Sequence, residues 1–350
     1  QASLCYKKLN MSKKNSSVLN LNKFFLKDQK LLNQYILFKK NFKKYCKGLK
    51  FLVAVSGGPD SLALAALCKA FSYQNKSKFY FILIDHRIRK NSKEESLKVK
   101  KLLKRRQINL TILTNKIKIS NNIQSNARKI RYNLMSAFCK KKGISKILTA
   151  HHSDDQIETF LIRLSRGSGV QGLSSMKIVS KLNSNVSIIR PLLDFKKKQL
   201  ENISRKAFGK YFYDTSNKNP KFLRVKIRKL ISSFEKSGIH QDQVIKSIKN
   251  LRSSGDILEG HIKKIFKFNV EKKDKSLIIN LSNLFKEPQE IQYRVISKAI
   301  KSYTKSYYPP RAFKVTYLIE QLKLRKRTKF TLANCVLEVE KNLLKITKER

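Results

Sequence analysis

The sequence predicts an α/β protein, a doubly wound parallel sheet of five strands followed by a smaller, mainly α domain with a terminal β-hairpin. Three observations carry this expectation. Continuously apolar runs at 51–55 and 79–83 read as strands buried on both faces. Segments with apolar residues at helical spacing lie between such runs, the alternation that builds parallel strands joined by crossover helices. After about Ile239 the alternation gives way to longer helical patterns. The domains expected are therefore 1–47, a basic N-terminal extension and helix; 48–238, the α/β domain; and 239–350, the mainly helical remainder.

Residues 1 to about 30 are rich in Lys, Asn and Ser and read as loose, with Met11 a natural start. A helix is expected over 28–47 on Leu31, Leu32, Tyr35, Ile36, Phe38 and Phe42. The first strand, 51–55, stops at Ser56-Gly57-Gly58-Pro59-Asp60-Ser61, and a helix with Leu62, Leu64, Ala65, Leu67 and Cys68 follows. The second strand, 78–84, ends at Asp85-His86, and Ser92-Lys93-Glu94-Glu95 reads as a capping box opening a helix to about Arg106. A third strand covers 110–114, and a helix over 123–142 places Ala127, Ile130, Leu134, Ala137 and Phe138 on one face. The fourth strand, 146–150, runs into His151-His152-Ser153-Asp154-Asp155 and a helix to about Leu164. Residues 186–189 make the fifth strand, and a helix over 196–208 completes the unit. Beyond it come a helical stretch from Val244 to Ile265, a strand at 276–281 and a helix at 288–301. A Pro309-Pro310 break, a helix at 318–324 and a hairpin from 330–339 and 343–347 end the chain, which shows no internal repeat.

Composition narrows the function classes. The net charge is +55, with 78 Lys and Arg against 23 Asp and Glu, a field that attracts polyanions. The basic residues are mostly Lys and run the whole length, so compositional drift towards Lys, Asn and Ile competes as the cause of its size. The sign favours RNA or DNA over a protein partner. Five scattered cysteines without a CxxC pair argue against a disulfide framework or a zinc site and fit a reducing compartment. No apolar run approaches the roughly 18 residues of a membrane span, and no signal peptide is evident. A cytoplasmic protein is expected.

Three strand ends carry chemistry. The turn Ser56 to Ser61 leads a buried strand through glycines into a helix, which leaves unpaired N–H groups at the positive end of a helix dipole. Gly57 and Gly58 permit close approach of a phosphate, and Ser56 and Ser61 add hydroxyls; an ordinary β–α turn with a Ser cap is the competing reading. No Lys follows the last glycine, so this is not a Walker A loop, and a kinase or ordinary NTPase is disfavoured. Asp85 and His86 end the second strand, where Asp85 suits ribose or adenine hydrogen bonds or a simple turn. At the fourth, Asp154, Asp155 and Glu158 open a helix, with Asp154 and Glu158 four apart on one face. Adjacent carboxylates beside a phosphate loop suit Mg²⁺, although acids here also cap helix dipoles. His151 and His152, neighbours in an extended strand, point to opposite sides and need not be metal ligands. Arg128 and Arg131, three apart on a helix, suit phosphate contact or a solvated basic face, and the basic stretch 222–229 with Arg224 and Arg228 is similar and suits a nucleic-acid backbone.

The hexapeptide Ser56 to Ser61 resembles the PP-loop, SGGxDS, of the N-type ATP pyrophosphatases. Asp85-His86-Arg87-Ile88-Arg89 resembles the DHxLR element of bacterial tRNA(Ile)-lysidine synthases, with Ile88 for the usual Leu. The stretch from Asn122-Ile123-Gln124 through Ala127-Arg128 to Arg131-Tyr132 is similar to another segment of that family, as is Ala150-His151-His152-Ser153-Asp154-Asp155-Gln156-Ile157-Glu158-Thr159. Arg163-Leu164-Ser165-Arg166-Gly167-Ser168-Gly169, Arg190-Pro191-Leu192-Leu193 and Asp214-Thr215-Ser216-Asn217, with Arg224 and Arg228 after it, follow in family order. The resemblance is strong over residues 48 to 235 and looser to the end. Longer members of the family carry a further C-terminal domain.

The resemblance implies that ATP adenylates the C2 carbonyl oxygen of cytidine 34 in the CAU anticodon of tRNA(Ile). Free L-lysine then displaces AMP to give lysidine. Residues 48–238 are then the catalytic domain and 239–350 a tRNA-contacting one. Asp60, Asp154, Asp155, Glu158 and His151 are the expected catalytic residues. Ser56, Gly57, Gly58, Pro59, Asp60, Ser61, Asp85, His86 and Arg128 are expected to bind ATP, and Arg131, Arg166, Arg224 and Arg228 the tRNA. Mg²⁺ is expected on Asp60, Asp154 and Asp155. No membrane partner is expected, and a homodimer is left open. A PP-loop tRNA thiolase is the alternative enzyme, although those typically carry paired cysteines. A non-catalytic RNA-binding protein with a vestigial nucleotide site is the alternative from another class.

Overall fold

The computed structural model describes residues 21–89, 91–117, 119–212, 223–306, 309–324 and 328–349. The expected motif at 214–217 and the loose segment up to residue 20 lie outside the described residues. By its contacts the chain forms two compact units, residues 1–248 and 249–350.

The first unit begins with α1 (Leu21–Leu26) and α2 (Gln29–Tyr45), whose N-cap Asp28 accepts the N–H of Lys30 at 2.8 Å. It continues through β1 (Lys50–Ala54), α3 (Pro59–Ser72), β2 (Lys78–Asp85), α4 (Ser92–Lys104), β3 (Leu110–Thr114), α5 (Ile123–Lys142) and β4 (Lys146–Leu148). Then come α6 (Ser153–Leu164), the short α7 (Val170–Leu173), β5 (Val179–Lys181), β6 (Ser187–Ile189), α8 (Lys197–Phe208) and α9 (Leu223–Lys236), and α10 (Gln241–Asn269) begins before residue 248 and runs on into the second unit. The described strands form one sheet in the order β3-β2-β1-β4-β6-β5, and the five expected strands are its parallel members. The sixth, β5, pairs antiparallel with β6 through a short, largely exposed run that has no periodicity to betray it.

Both faces of this sheet are covered. Phe51 and Val53 of β1 pack with α2, α3 and α8, where Phe38, Phe42, Phe71 and Phe79 form a cluster of tilted and edge-on rings. Leu52, between them in sequence, faces the other way, with Ile82, Met135, Cys139 and Ile147 under α5. Helix α3 is buried almost all round, so it lies inside the unit. The chain runs outward from β1 to β2 and β3, then returns to β4 on the other side of β1. The strand order reverses there, and the crevice beyond the carboxyl ends of β1 and β4 is where such sheets bind ligands.

One local expectation fails. Ser92 is the first residue of α4 and Asn91 its cap, with no side-chain cap bond, so the expected Ser92–Glu95 capping box is absent.

The second unit holds β7 (Val270–Lys273), β8 (Ser276–Asn280), the short α11 (Leu281–Leu284), α12 (Gln289–Thr304), α13 (Ala312–Lys323), β9 (Lys329–Leu332), β10 (Cys335–Glu340) and β11 (Leu343–Lys348). The terminal hairpin, β10–β11, is present within a larger antiparallel sheet of order β7-β8-β11-β10-β9. The expected strand 330–339 is in fact two. Ala333 and Asn334 both take positive φ, 55° and 63°, the backbone of a tight hairpin turn. One sheet face is apolar, with Ile279, Leu337, Leu344 and Ile346 fully buried among Val295, Ile296 and Ile300 of α12 and Val315 and Ile319 of α13.

Candidate active site

The turn between β1 and α3 is built by the smallest residues. Gly57 sits at φ +88°, and a Cβ there would lie 2.6 Å from Cγ2 of Val99 on α4, so no other residue fits without displacement. Gly58 caps α3 with ordinary backbone angles and no side-chain cap bond, and Pro59 opens the helix. The first turn of α3 therefore offers its N–H groups to an outside acceptor. The two serines divide the work. Buried Ser61 braces the turn, its Oγ accepting the N–H of Ser56 at 3.0 Å and donating to the carbonyl of Gly58 at 3.0 Å. Exposed Ser56 keeps its hydroxyl at the surface, 3.1 Å from Ser61 Oγ.

Across the strand-order reversal, β4 releases the chain into His151, His152 and α6. The buried imidazole of His152 is ringed by carboxylates: Asp60 Oδ2 at 3.7 Å and Asp155 Oδ2 at 3.5 Å from Nε2, and Asp154 Oδ1 at 3.5 Å from Nδ1. Burial works against the charge on this ring, but Asp154, Asp60 and Asp155 outweigh it and push its pKa up to about 10. Burial alone would raise the Asp154 carboxyl, yet the His152 ring and the N–H of Lys197 carry it down to about 2. Asp154 and Asp155 also have structural tasks. Asp154 Oδ1 accepts from Lys197 N–H, the first residue of α8, at 3.1 Å, and Asp155 Oδ2 accepts from His152 N–H at 3.1 Å, capping α6. Asp60 Oδ1, by contrast, is buried with no hydrogen-bond partner. Among the described residues no three His, Cys, Asp or Glu side chains form a metal cage by themselves. The unpartnered Asp60 Oδ1 is an oxygen donor of the kind a hard cation such as Mg²⁺ takes, one or two carboxylates being completed by water and substrate phosphate.

His151 has a different environment. Its Nδ1 lies 2.9 Å from the Thr149 hydroxyl, and burial, followed by Arg190, Arg128, Arg224 and His152, pushes its pKa down to about 3. It is a neutral ring, on which the charges of Arg190, Arg128 and Arg224 act. Arg128 also stacks over Tyr132 at 5.0 Å. Buried Glu158 is held by the Nε and Nη2 of Arg228, so α9 is tied to α6 by a two-point ion pair. Burial raises the Glu158 carboxyl more than Arg228 lowers it. Arg166 lies exposed in the turn after α6, and Arg131 is exposed on α5.

Asp85 is buried at the end of β2, where its Oδ1 accepts the N–H of Arg87 at 2.9 Å. His86 follows with both ring nitrogens buried and unpartnered among the described residues.

The structure thus gathers Asp60, Asp154 and Asp155 round one histidine, and that histidine is His152, which the sequence reading left out of the expected site. The approach of Asp60 could not be read from spacing, since it comes from a different β–α turn.

A family model described as "PP-loop domain" matches residues 30–234. Among curated proteins, the tRNA(Ile)-lysidine synthase of Wolbachia pipientis wMel is 35% identical over 263 residues, covering 74% of this chain and 61% of the relative. That of Zymomonas mobilis subsp. mobilis is 31% identical over 259 residues, covering 73% and 76%. The chain spans 61% and 62% of the length of the two Wolbachia relatives. Among solved structures, the U34-tRNA thiolase NcsA from Methanococcus maripaludis matches with a TM-score of 0.50 at 18% identity, over 63% of this chain and 80% of that one, a likeness of fold.

Proposed function

The chain belongs to the tRNA(Ile)-lysidine synthases of the PP-loop class, and from that membership we propose that it joins free L-lysine to C2 of cytidine 34 in the CAU anticodon of tRNA(Ile). ATP is cleaved to AMP and pyrophosphate. In the first step the C2 carbonyl oxygen attacks the α-phosphorus of ATP, the α–β bond breaks and pyrophosphate leaves. In the second, the ε-amine of lysine attacks C2 as the neutral amine, and AMP departs with that oxygen. Its five scattered cysteines without a CxxC pair suit the reducing cytoplasm as its compartment.

The observation that carries this reading is the meeting of an uncapped helix N-terminus with the carboxylates of Asp60, Asp154 and Asp155 at the strand-order reversal. The first-turn N–H groups of α3 and the Ser56 hydroxyl hold the pyrophosphate portion, with Gly57, Gly58 and Pro59 shaping the turn and Ser61 bracing it. Asp85, His86 and Arg128 bind the remainder of ATP. Asp60, with its unpartnered Oδ1, and Asp154 and Asp155 would hold Mg²⁺, which supplies positive charge against the phosphates when bound. Neutral His151 hydrogen-bonds without carrying charge. Glu158 takes the lysine ammonium or its proton, with Arg228 as its counter-ion. Arg131, Arg166, Arg224 and Arg228 meet the tRNA backbone from the catalytic domain, 48–238, and residues 239–350 extend that contact.

Exchange of labelled pyrophosphate into ATP tests the first step. Exchange that requires tRNA(Ile) with CAU supports the reading. Its absence points to an RNA-binding protein, and a product heavier by sulfur instead of lysine points to a thiolase.

A further inference from the structure

The ends of β2 and β3 lie side by side, with Asp85 opposite Thr114. The ladder runs one step further, where Asn115 N–H donates to the carbonyl of Asp85 at 2.8 Å. Both strands then turn by the same device, a side-chain oxygen accepting the N–H two residues on: Asp85 from Arg87, and Asn115 from Ile117, each at 2.9 Å. The two differ in what remains. A carboxylate has no donor, whereas the Asn115 amide donates through Nδ2 to the carbonyls of Ile117 at 2.6 Å and His86 at 3.4 Å. Asn115 is 4% exposed, so these bonds are shielded from water.

The residue on the far side of that bracket is His86. Its two ring nitrogens are buried without a partner among the described residues, an arrangement that costs free energy unless the backbone holds it and a ligand completes it. Burial and nearby Arg131 lower its pKa, so the ring keeps one N–H and one lone pair for a neutral polar partner.

We propose that Asn115 is a positioning residue for nucleotide binding, fixing the Asp85–His86 corner so that the His86 ring meets the base or ribose of ATP. The proposal rests on the nucleotide reading of this crevice given above.

The test is a double-mutant cycle on the whole chain, with ATP affinity read by calorimetry. Asn115→Ala and His86→Ala each weaken ATP by about tenfold, the scale of one lost hydrogen bond, and the double variant is no weaker than His86→Ala alone. The His86 ring proton resonances move in ligand-free Asn115→Ala, and KM for lysine does not. Should the Ala variant not fold, Asn115→Ser, which keeps a turn acceptor but lacks the reach to the His86 carbonyl, gives the same loss. The proposal is overturned if the double variant loses the product of the two single losses, or if Asn115 variants bind ATP as the wild type does. A wild type that binds no ATP overturns the nucleotide reading itself, and the proposal with it, before any variant is compared.

Discussion

The turns β1–α3 and β4–α6 are the same kind of junction at neighbouring strand ends, yet their chemistry is opposite. At β1–α3 the helix has no side-chain cap, Ser61 is turned inward to brace the loop, and the first-turn N–H groups are left for an anion. At β4–α6 the helix is capped by its own Asp155, and Asp154 reaches across to the start of α8. One junction attracts negative charge and the other supplies it. They meet because Asp60, from the open junction, joins the carboxylates of the closed one around His152. A parallel sheet thus places an uncapped helix N-terminus next to a cluster of carboxylates without any long-range sequence signal, through strand order alone.

The largest expected effect breaks this meeting at its centre. Asp60→Ala removes the one carboxylate of the three that accepts no backbone N–H, and lowers tRNA-dependent pyrophosphate exchange by about 10³-fold, a loss larger than the change in stability from its contact with His152 explains. Next is Gly57→Ala, which combines a positive φ with the approach to Val99 and costs about 2–3 kcal/mol in denaturant unfolding. Adding Val99→Ala relieves the contact and leaves the backbone cost. Gly58→Ala, whose new Cβ would have no neighbour closer than 3.6 Å, keeps stability within about 0.5 kcal/mol and so isolates phosphate approach in the activity assay.

On the closed side, Arg228→Ala leaves Glu158 buried without its counter-ion. The expected loss is about 2 kcal/mol, less than for a fully buried pair because Arg228 is partly in water. The pH dependence follows in sign. The Glu158 carboxyl is already raised above its usual value, and without Arg228 it rises further. The variant is therefore closest to wild type at acid pH and loses stability as pH climbs above about 4.5. A pH-dependent effect concerns His152. Its folded pKa of about 10 exceeds the unfolded 6.5, so the stability it lends is complete below pH 6.5 and fades as pH rises through 10. In His152→Asn, melting without Mg²⁺ loses that slope.

The α/β fold was legible because most of its strands are short apolar runs separated by helical patterns. The bounds expected for α5, 123–142, coincide with the helix observed, closed by Gly143 in the left-handed conformation. What escaped had no local signature. β5 is three largely exposed residues that exist only through pairing with β6, and β7, Val-Glu-Lys-Lys, is too polar to read as a strand. Ala333 gave no turn signal before Asn334. In the site, the strand-alternation argument could not choose between the two histidines, since β4 ends at Leu148 and the chain is irregular where they lie. Asn115 is a single residue in a turn, and its role shows only when two strand ends are seen together.

If the uncapped turn and the carboxylates act on one ATP, tRNA(Ile) is adenylated before lysine is joined to it. Incorporation of radiolabelled lysine into tRNA(Ile) bearing CAU, with ATP present, tests this most directly. One AMP and one pyrophosphate are expected for each lysine joined, and incorporation fails in Asp60→Ala while tRNA binding persists. Incorporation unaffected by Asp60→Ala, or ATP cleaved to ADP, would contradict it.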